Sequence, residues 1–376
     1  MKDLKNKYKG QTCYIVGRGE SIRELKKEHF KEGVVIAINY AINKVNELNL
    51  DNDVYSMQKD GYHKSIVANQ LIEVDCVYPD CNNCNLRTVN PYPATLLVHK
   101  HESEKCFDTY KPRYVFDNIE LGLKPTDFSA LSCIKLAGYM GCSKLVFFCF
   151  DSLIGKYTGV DTKTDIVKEN INYKHQIDIQ RGYLKNIDHK YIIPKKEIEE
   201  KYVNRCNTKG DINEHIYTLR QYALECNHIT ELGVWKINST WGLLAGYPKK
   251  MISIDKTDPK EYGSNINQVY DIVKPIIDFK FIQASTLDIE IEETDLLFID
   301  TWHVYRQLKA ELTLHGNKAR KYIIMHDTQT YGWHNSGGGG FGLKKAIDEF
   351  MEENKHWVVD KIFTNNNGLT ILKRVI

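Results

Sequence analysis

At 376 residues the chain is long for one core, and a prior of roughly 100–200 residues per domain predicts two domains. Its 51 basic and 49 acidic residues leave a net charge of +2, which argues against a dedicated nucleic-acid surface and for small-molecule or saccharide partners; a homo-oligomer is compatible with the same balance. No run approaches the ~20 apolar residues of a membrane span, and the start MKDLKNKYKG lacks the apolar core of a signal peptide, so the reading is a cytoplasmic protein with reduced thiols.

Residues 12–17, TCYIVG, are a short β-rich run, followed by GRGES and the helically spaced IRELKKEHF. A strand, a glycine turn and a helix opened by Ser21 put backbone N–H groups and a helix dipole where a phosphate can sit. Gly17-Arg18-Gly19 lacks the third glycine of the dinucleotide fingerprint, so a plain tight turn accounts for it about equally well. GVVIAIN predicts a second strand ending at Asn39, AINKVNEL a helix, and DVYSMQKDG a third strand. Cys81 and Cys84 form a C-x-x-C with Cys76, His99, His101 and Cys106 nearby, a set from which a zinc site can be assembled. The irregular spacing and the lack of a second C-x-x-C favour loop cysteines without metal.

ATLLVH and RYVFD read as further strands, Ser129 and Ser132 open a helix that Gly141 ends, and KLVFFCF is a buried strand finishing at Asp151. Strand, glycine turn and helix thus repeat, and residues 1–195 are expected to form an α/β domain with a largely parallel sheet. Through GRGES, AIN and DFSALSCIKLAGYMGCSKLVFFCFD this half resembles a Rossmann-like family that includes the 6-hydroxymethylpterin diphosphokinases, motility-associated glycosyltransferase-like proteins and, more distantly, sialyltransferases. The resemblance implies a nucleotide or diphosphate near Gly17, Gly19, Ser21, Asn39 and Asp151. Where the sialyltransferase-type turn reads G-N-G-P-S, this chain has Arg18 and Glu20, which sets a negative charge beside the anion site.

Residues 152–206 are polar and rich in lysine and tyrosine, with NYKHQIDIQRGYLK and PKKEIEEKYVNR expected as solvated helices and a domain boundary near 195–210. Beyond it, Asp211 is placed to cap a helix running through Glu225. HITELGV then ends in Glu231-Leu232-Gly233, KKMISID in Asp255, and FKFIQA just before Ser285. That layout suits an adenosyl nucleoside: glycine admits the ligand to the backbone, a carboxylate after the second strand takes the ribose hydroxyls, and Ser285 neighbours the adenine.

Two apolar runs, Leu296–Ile299 and Tyr322–Met325, each end in acidic or imidazole groups, Asp300 with His303 and His326 with Asp327. Read as neighbouring parallel strands, they bring four groups suited to metal ligation or proton transfer to one rim; helix capping by the two aspartates is the simpler alternative. HNSGGGGFG, at 334–342, reads as a lid or as a simple connector. HWVVDKIF and GLTILKRV, joined by TNNNG, predict a closing tight hairpin.

A mostly parallel sheet closed by an antiparallel hairpin resembles the class I S-adenosylmethionine-dependent methyltransferase fold. Residues 207–376, through DINEH, ELGVWKINST, ISID, FIDTWHVYRQLKAEL and IIMHDT, resemble the sugar and macrolide-glycoside O-methyltransferases and their cephalosporin-hydroxylase-like relatives. The resemblance implies S-adenosylmethionine on Glu231, Gly233, Asp255 and Ser285, a metal-binding Asp300, a general base at His303, and a divalent ion, Mg²⁺ or similar, on Asp300, His326 and Asp327. Two departures stand out: His326 replaces a carboxylate, which tilts the site toward a softer ion or none, and Ile237 stands where relatives commonly have glycine. The expected function is O-methylation of a sugar or glycan hydroxyl by a chain fused to a glycosyltransferase-like nucleotide-binding domain; the alternative is a non-catalytic binding protein or scaffold with decayed sites.

Overall fold

The computed structural model describes residues 1–39, 41–58, 94–100, 113–124, 127–151, 158–161, 166–169, 172–337 and 340–375. The C-x-x-C cluster, His99 excepted, lies outside the described residues. The chain forms two α/β units, Met1–Pro194 and Lys195–Ile376.

The first unit is built on seven parallel strands: β1 (Thr12–Val16), β2 (Val34–Ile38), β3 (Asp53–Gln58), β4 (Thr95–His99), β5 (Arg113–Phe116), β6 (Lys144–Phe148) and, after a small antiparallel hairpin of β7 (Thr158–Asp161) and β8 (Ile166–Glu169), β9 (Asp188–Ile192). Their order is β5-β4-β3-β2-β1-β6-β9. Val34, Val35, Ile36 and Ala37 are all fully buried, as a strand covered on both faces requires. Helices α1 (Ala41–Glu47), α2 (Ser129–Tyr139) and α3 (Asn172–Tyr183) belong to this unit. The segment after the glycine turn departs from expectation: it forms two 3-10 turns, Glu20–Glu24 and Lys27–His29, with Leu25 extended between them. Ile22, Leu25 and Phe30 are buried by this path, so no α-helix dipole points at the turn.

The second unit opens with α4 (Lys196–Asn207) and α5 (Ile216–Ala223). Its strands are β10 (His228–Leu232), β11 (Lys250–Asp255), β12 (Asp278–Gln283), β13 (Thr294–Ile299), β14 (Ala319–His326), β15 (Trp357–Phe363) and β16 (Leu369–Arg374). They are joined through α6 (Asn238–Leu244), α7 (Ile266–Val273), α8 (Tyr305–His315) and α9 (Leu343–Glu353). The order is β12-β11-β10-β13-β14-β16-β15, parallel through β14 and antiparallel across the closing hairpin, which is a methyltransferase-like mixed sheet. The hairpin loop is wider than the tight turn expected: pairing stops at Phe363 opposite Leu369, and Asn366, Asn367 and Gly368 all have positive φ. Among the described residues, no helix is long and apolar enough to cross a membrane.

Candidate functional site

In each unit the strand order reverses beside the first strand, and the carboxyl edge at that reversal is where open α/β sheets bind ligands. In the first unit this edge gathers Gly17, Gly19, Ser21, Asn39 and Asp151. The Asp151 carboxylate, almost fully buried, accepts the Ser21 N–H at 2.9 Å and the Ser21 Oγ–H at 2.6 Å. Gly19 permits this approach, since a Cβ there would lie 1.8 Å from the carboxylate. The amide expected to hold a phosphate therefore holds the protein's own anion. Asn39, at the end of β2, has φ +51° and donates its N–H to the Met57 carbonyl at 2.9 Å.

In the second unit Gly233 follows β10 with φ +89°, and a Cβ would lie 1.9 Å from the Asp300 carbonyl oxygen, so only glycine fits beside the end of β13. The loop continues through Trp235 and Ile237, at φ +44° and +61°, left-handed conformations that glycine adopts freely and a β-branched residue does not. Ile237 is nonetheless buried at the start of α6, and holding it there costs on the order of 1–3 kcal/mol. Asp255, after β11, spans this loop: its carboxylate accepts the N–H groups of Val234 at 2.8 Å, Trp235 at 3.1 Å and Thr257 at 2.9 Å. Ser285, beyond β12, accepts the Leu287 N–H at 3.3 Å.

Glu231 is placed differently from the ligand contact expected of it. It is fully buried, and its carboxylate accepts hydrogen bonds from Ser239 (2.7 Å), Thr240 (2.9 Å) and Ser253 (2.6 Å), tying α6 and β11 to β10. Burial outweighs these bonds and lifts its pKa to about 7.

Strands β13 and β14 pair in parallel with Ile299 opposite Met325, so Asp300, His303, His326 and Asp327 do converge. His303 Nε2 lies 2.8 Å from Asp327 Oδ2 and 3.5 Å from Asp300 Oδ1. His326 Nδ1 lies 3.2 Å from Asp327 Oδ2 and 3.3 Å from Asp300 Oδ2. The other His326 nitrogen faces the Asn366 carbonyl at 3.1 Å; a carbonyl only accepts, so Nε2 carries a hydrogen. Burial opposes charge on both imidazoles, but the paired carboxylates outweigh it and raise His303 to about 9 and His326 to about 10. Burial likewise works against the charges of Asp300 and Asp327, yet the imidazoles hold both carboxyls below their usual range.

Asp300, His303 and Asp327 can each offer a ligand atom to one ion, and His326 lies beside them almost fully buried. Two carboxylates and one imidazole fit a divalent ion of mixed nitrogen and oxygen preference, such as Zn²⁺ or Mn²⁺, better than Mg²⁺; the imidazole in that set is His303, and not the His326 expected as a ligand. The His303 ring stacks on Tyr331 at 4.8 Å, and its carbonyl accepts the Ser336 N–H at 3.1 Å, which anchors the glycine-rich loop.

Three contributors were not read as site residues in the sequence. Tyr331 positions the His303 ring, and nothing in the sequence marks it. Asn366 orients His326, and the triple asparagine before Gly368 was its signal. Asp211 does not cap a helix: the 3-10 turn Asn213–His215 and α5 both start without a side-chain cap. It instead lines a small cleft with Gly233, Trp235, Lys236, Asn238, Ser239 and Asp300.

No protein-family model matches the chain, and no curated protein matches it. Solved structures similar to it include a methyltransferase of Podospora anserina with S-adenosylhomocysteine bound, at 13% identity over 56% of this chain and 99% of that one, with a TM-score of 0.35. The O-methyltransferase TomG of Streptomyces achromogenes, in complex with S-adenosylmethionine, is 12% identical over 53% of this chain and 96% of its own, with a TM-score of 0.35. An O-methyltransferase of Bacillus cereus, in complex with S-adenosylhomocysteine, is 12% identical over 52% and 97%, with a TM-score of 0.34.

Proposed function

We propose that the chain is an S-adenosylmethionine-dependent O-methyltransferase acting on a hydroxyl of a small molecule, with a saccharide as the acceptor. The observation that carries this reading is the succession of strand ends in the second unit. A glycine loop and a carboxylate follow β10 and β11, while an imidazole–carboxylate cluster follows β13 and β14. The cleft lined by Gly233 to Lys236 would hold the cofactor, with Asp255 at the ribose and Ser285 near the adenine. When bound, S-adenosylmethionine supplies an electrophilic methyl group.

The chain's own task is to position the acceptor hydroxyl and take its proton, and His303 is the group suited to both. Asp327 and Asp300 orient its ring and stabilise the imidazolium that results. A divalent ion, where present, would sit on Asp300, Asp327 and His303 and make an acceptor hydroxyl more acidic, and His303 is the base only in the ion-free site. Without an ion His303 carries a proton at neutral pH, so turnover rises as pH climbs toward about 9.

The test is methyl transfer from labelled S-adenosylmethionine to a saccharide panel, with and without chelator. His303→Ala is expected to lower transfer by about 100-fold or more, in the range of a lost general base, without loss of cofactor binding. Chelation that leaves transfer unchanged assigns a metal-free base site. Full activity of His303→Ala would place catalysis elsewhere.

A second reading concerns the first unit, where the Ser21–Asp151 contact favours a scaffold over a nucleotide site. A nucleotide phosphate at this turn would have to displace a buried carboxylate already bound to it.

A further inference from the structure

We propose that Asp211 recognises the α-ammonium group at the amino-acid end of the cofactor, an inference that rests on the S-adenosylmethionine site proposed above. The cleft beside Gly233 has two carboxylates in its wall, Asp211 and Asp300. A sulfonium nucleoside laid along the glycine loop with its ribose at Asp255 must send its zwitterionic end away from β11, toward that wall. An ammonium group taken from water needs an anionic acceptor there.

The other acids near the loop are committed. Glu231 is sealed beneath it, with both carboxylate oxygens taken by hydroxyls. Asp255 spans the amides of Val234, Trp235 and Thr257 at the opposite end. Asp300 shares its oxygens with His303 and His326. Asp211 has no capping duty, and its segment is held from both sides. The Asn366 side chain donates to the Gly210 carbonyl at 2.9 Å and accepts the Glu214 N–H at 3.0 Å, which brackets Asp211 within a fixed turn. Lys236, on the same cleft with its ammonium 4.4 Å from the Trp235 ring centre, supplies a cation for the ligand's carboxylate.

Titration calorimetry on the full-length protein tests this with two probes. S-adenosylhomocysteine carries the amino-acid end; 5′-methylthioadenosine keeps the nucleoside and sulfur and lacks that end. Asp211→Asn is expected to bind S-adenosylhomocysteine roughly 10- to 100-fold more weakly, and methylthioadenosine within about twofold of the wild type. Equal weakening of both probes, unchanged affinity, or tighter binding of S-adenosylhomocysteine would each overturn the assignment. The wild type provides an arm independent of the variant's folding: a deaminated analogue that keeps the carboxylate should bind at least about tenfold more weakly than S-adenosylhomocysteine. Equal affinity for the analogue overturns the proposal. A wild type that binds neither S-adenosylhomocysteine nor methylthioadenosine removes the cofactor site itself, an outcome distinct from loss of the Asp211 contact alone.

Discussion

The Glu231 carboxylate is cut off from water, and three hydroxyls stand in for its solvation. Its pKa near 7, against an ordinary 4.5, means that the folded protein holds a proton which the unfolded chain releases across that window. Stability therefore falls as pH rises from 4.5 to about 7, by an amount on the order of 3 kcal/mol at most. Glu231→Gln removes this dependence. Urea unfolding at pH 5 and pH 8 should show a smaller difference for the variant than for the wild type, and equal differences would refute the account. The sequence placed Glu231 correctly at a strand end but not on the correct side of the loop. The hydroxyls that claim it come from Ser239 and Thr240 on α6 and Ser253 on β11, and only the folded arrangement of those elements fixes its direction. Asp300, His303, His326 and Asp327 were legible for the opposite reason. Each follows a continuous apolar run, and parallel pairing alone brings the ends of such runs together.

Helix α4 corrects the expectation of a solvated face. Ile198 and Tyr202, four residues apart, share one buried stripe, and Glu199 beside them is buried as well. Glu199 accepts from Arg220 of α5 at 3.0 Å and from the Tyr247 hydroxyl at 2.7 Å, while the Arg220 guanidinium lies 4.4 Å from the Tyr202 ring centre. The charge run PKKEIEEKYVNR hid this because its partner stands 21 residues further on, beyond the turn. Removing one member of a buried ion pair strands the other, so Glu199→Ala should destabilise the second unit by about 3–5 kcal/mol. Thermal unfolding of the variant checks this, and a loss below about 1 kcal/mol would mean that water reaches Arg220 and the pair behaves as an exposed one. The closing hairpin works at the same scale: its loop carbonyls and Asn366 side chain join His215, His326 and the Gly210–Glu214 turn, so an element read as simple closure organises one wall of the site.

Across the whole chain two parallel-rich sheets follow one rule, reversal beside the first strand, yet treat their edges differently. The first closes its glycine turn on Asp151; the second leaves a cleft between its glycine loop and the end of β13. On the proposed reading this contrast assigns the cofactor to the second unit and a supporting role to the first, whereas the resemblance of the first half implied a nucleotide there. The strand succession was legible in the second half and through β6 in the first, because buried strands read as apolar runs. Strands β7, β8 and β9 fall in the polar stretch 152–206, which was expected to hold only solvated helices, and β9 escaped notice because Asp188, His189 and Lys190 interrupt any apolar run. The occupancy of the first turn was not, since Ser21 and Asp151 are 130 residues apart. A crystal structure of the full-length protein grown with S-adenosylhomocysteine tests the central claim most directly. The account predicts ligand density along Gly233–Lys236 with the ribose at Asp255, the amino-acid end at Asp211, and nothing at the Gly17–Ser21 turn. Ligand bound at the first turn, or absent from the second unit at saturating concentration, would contradict it.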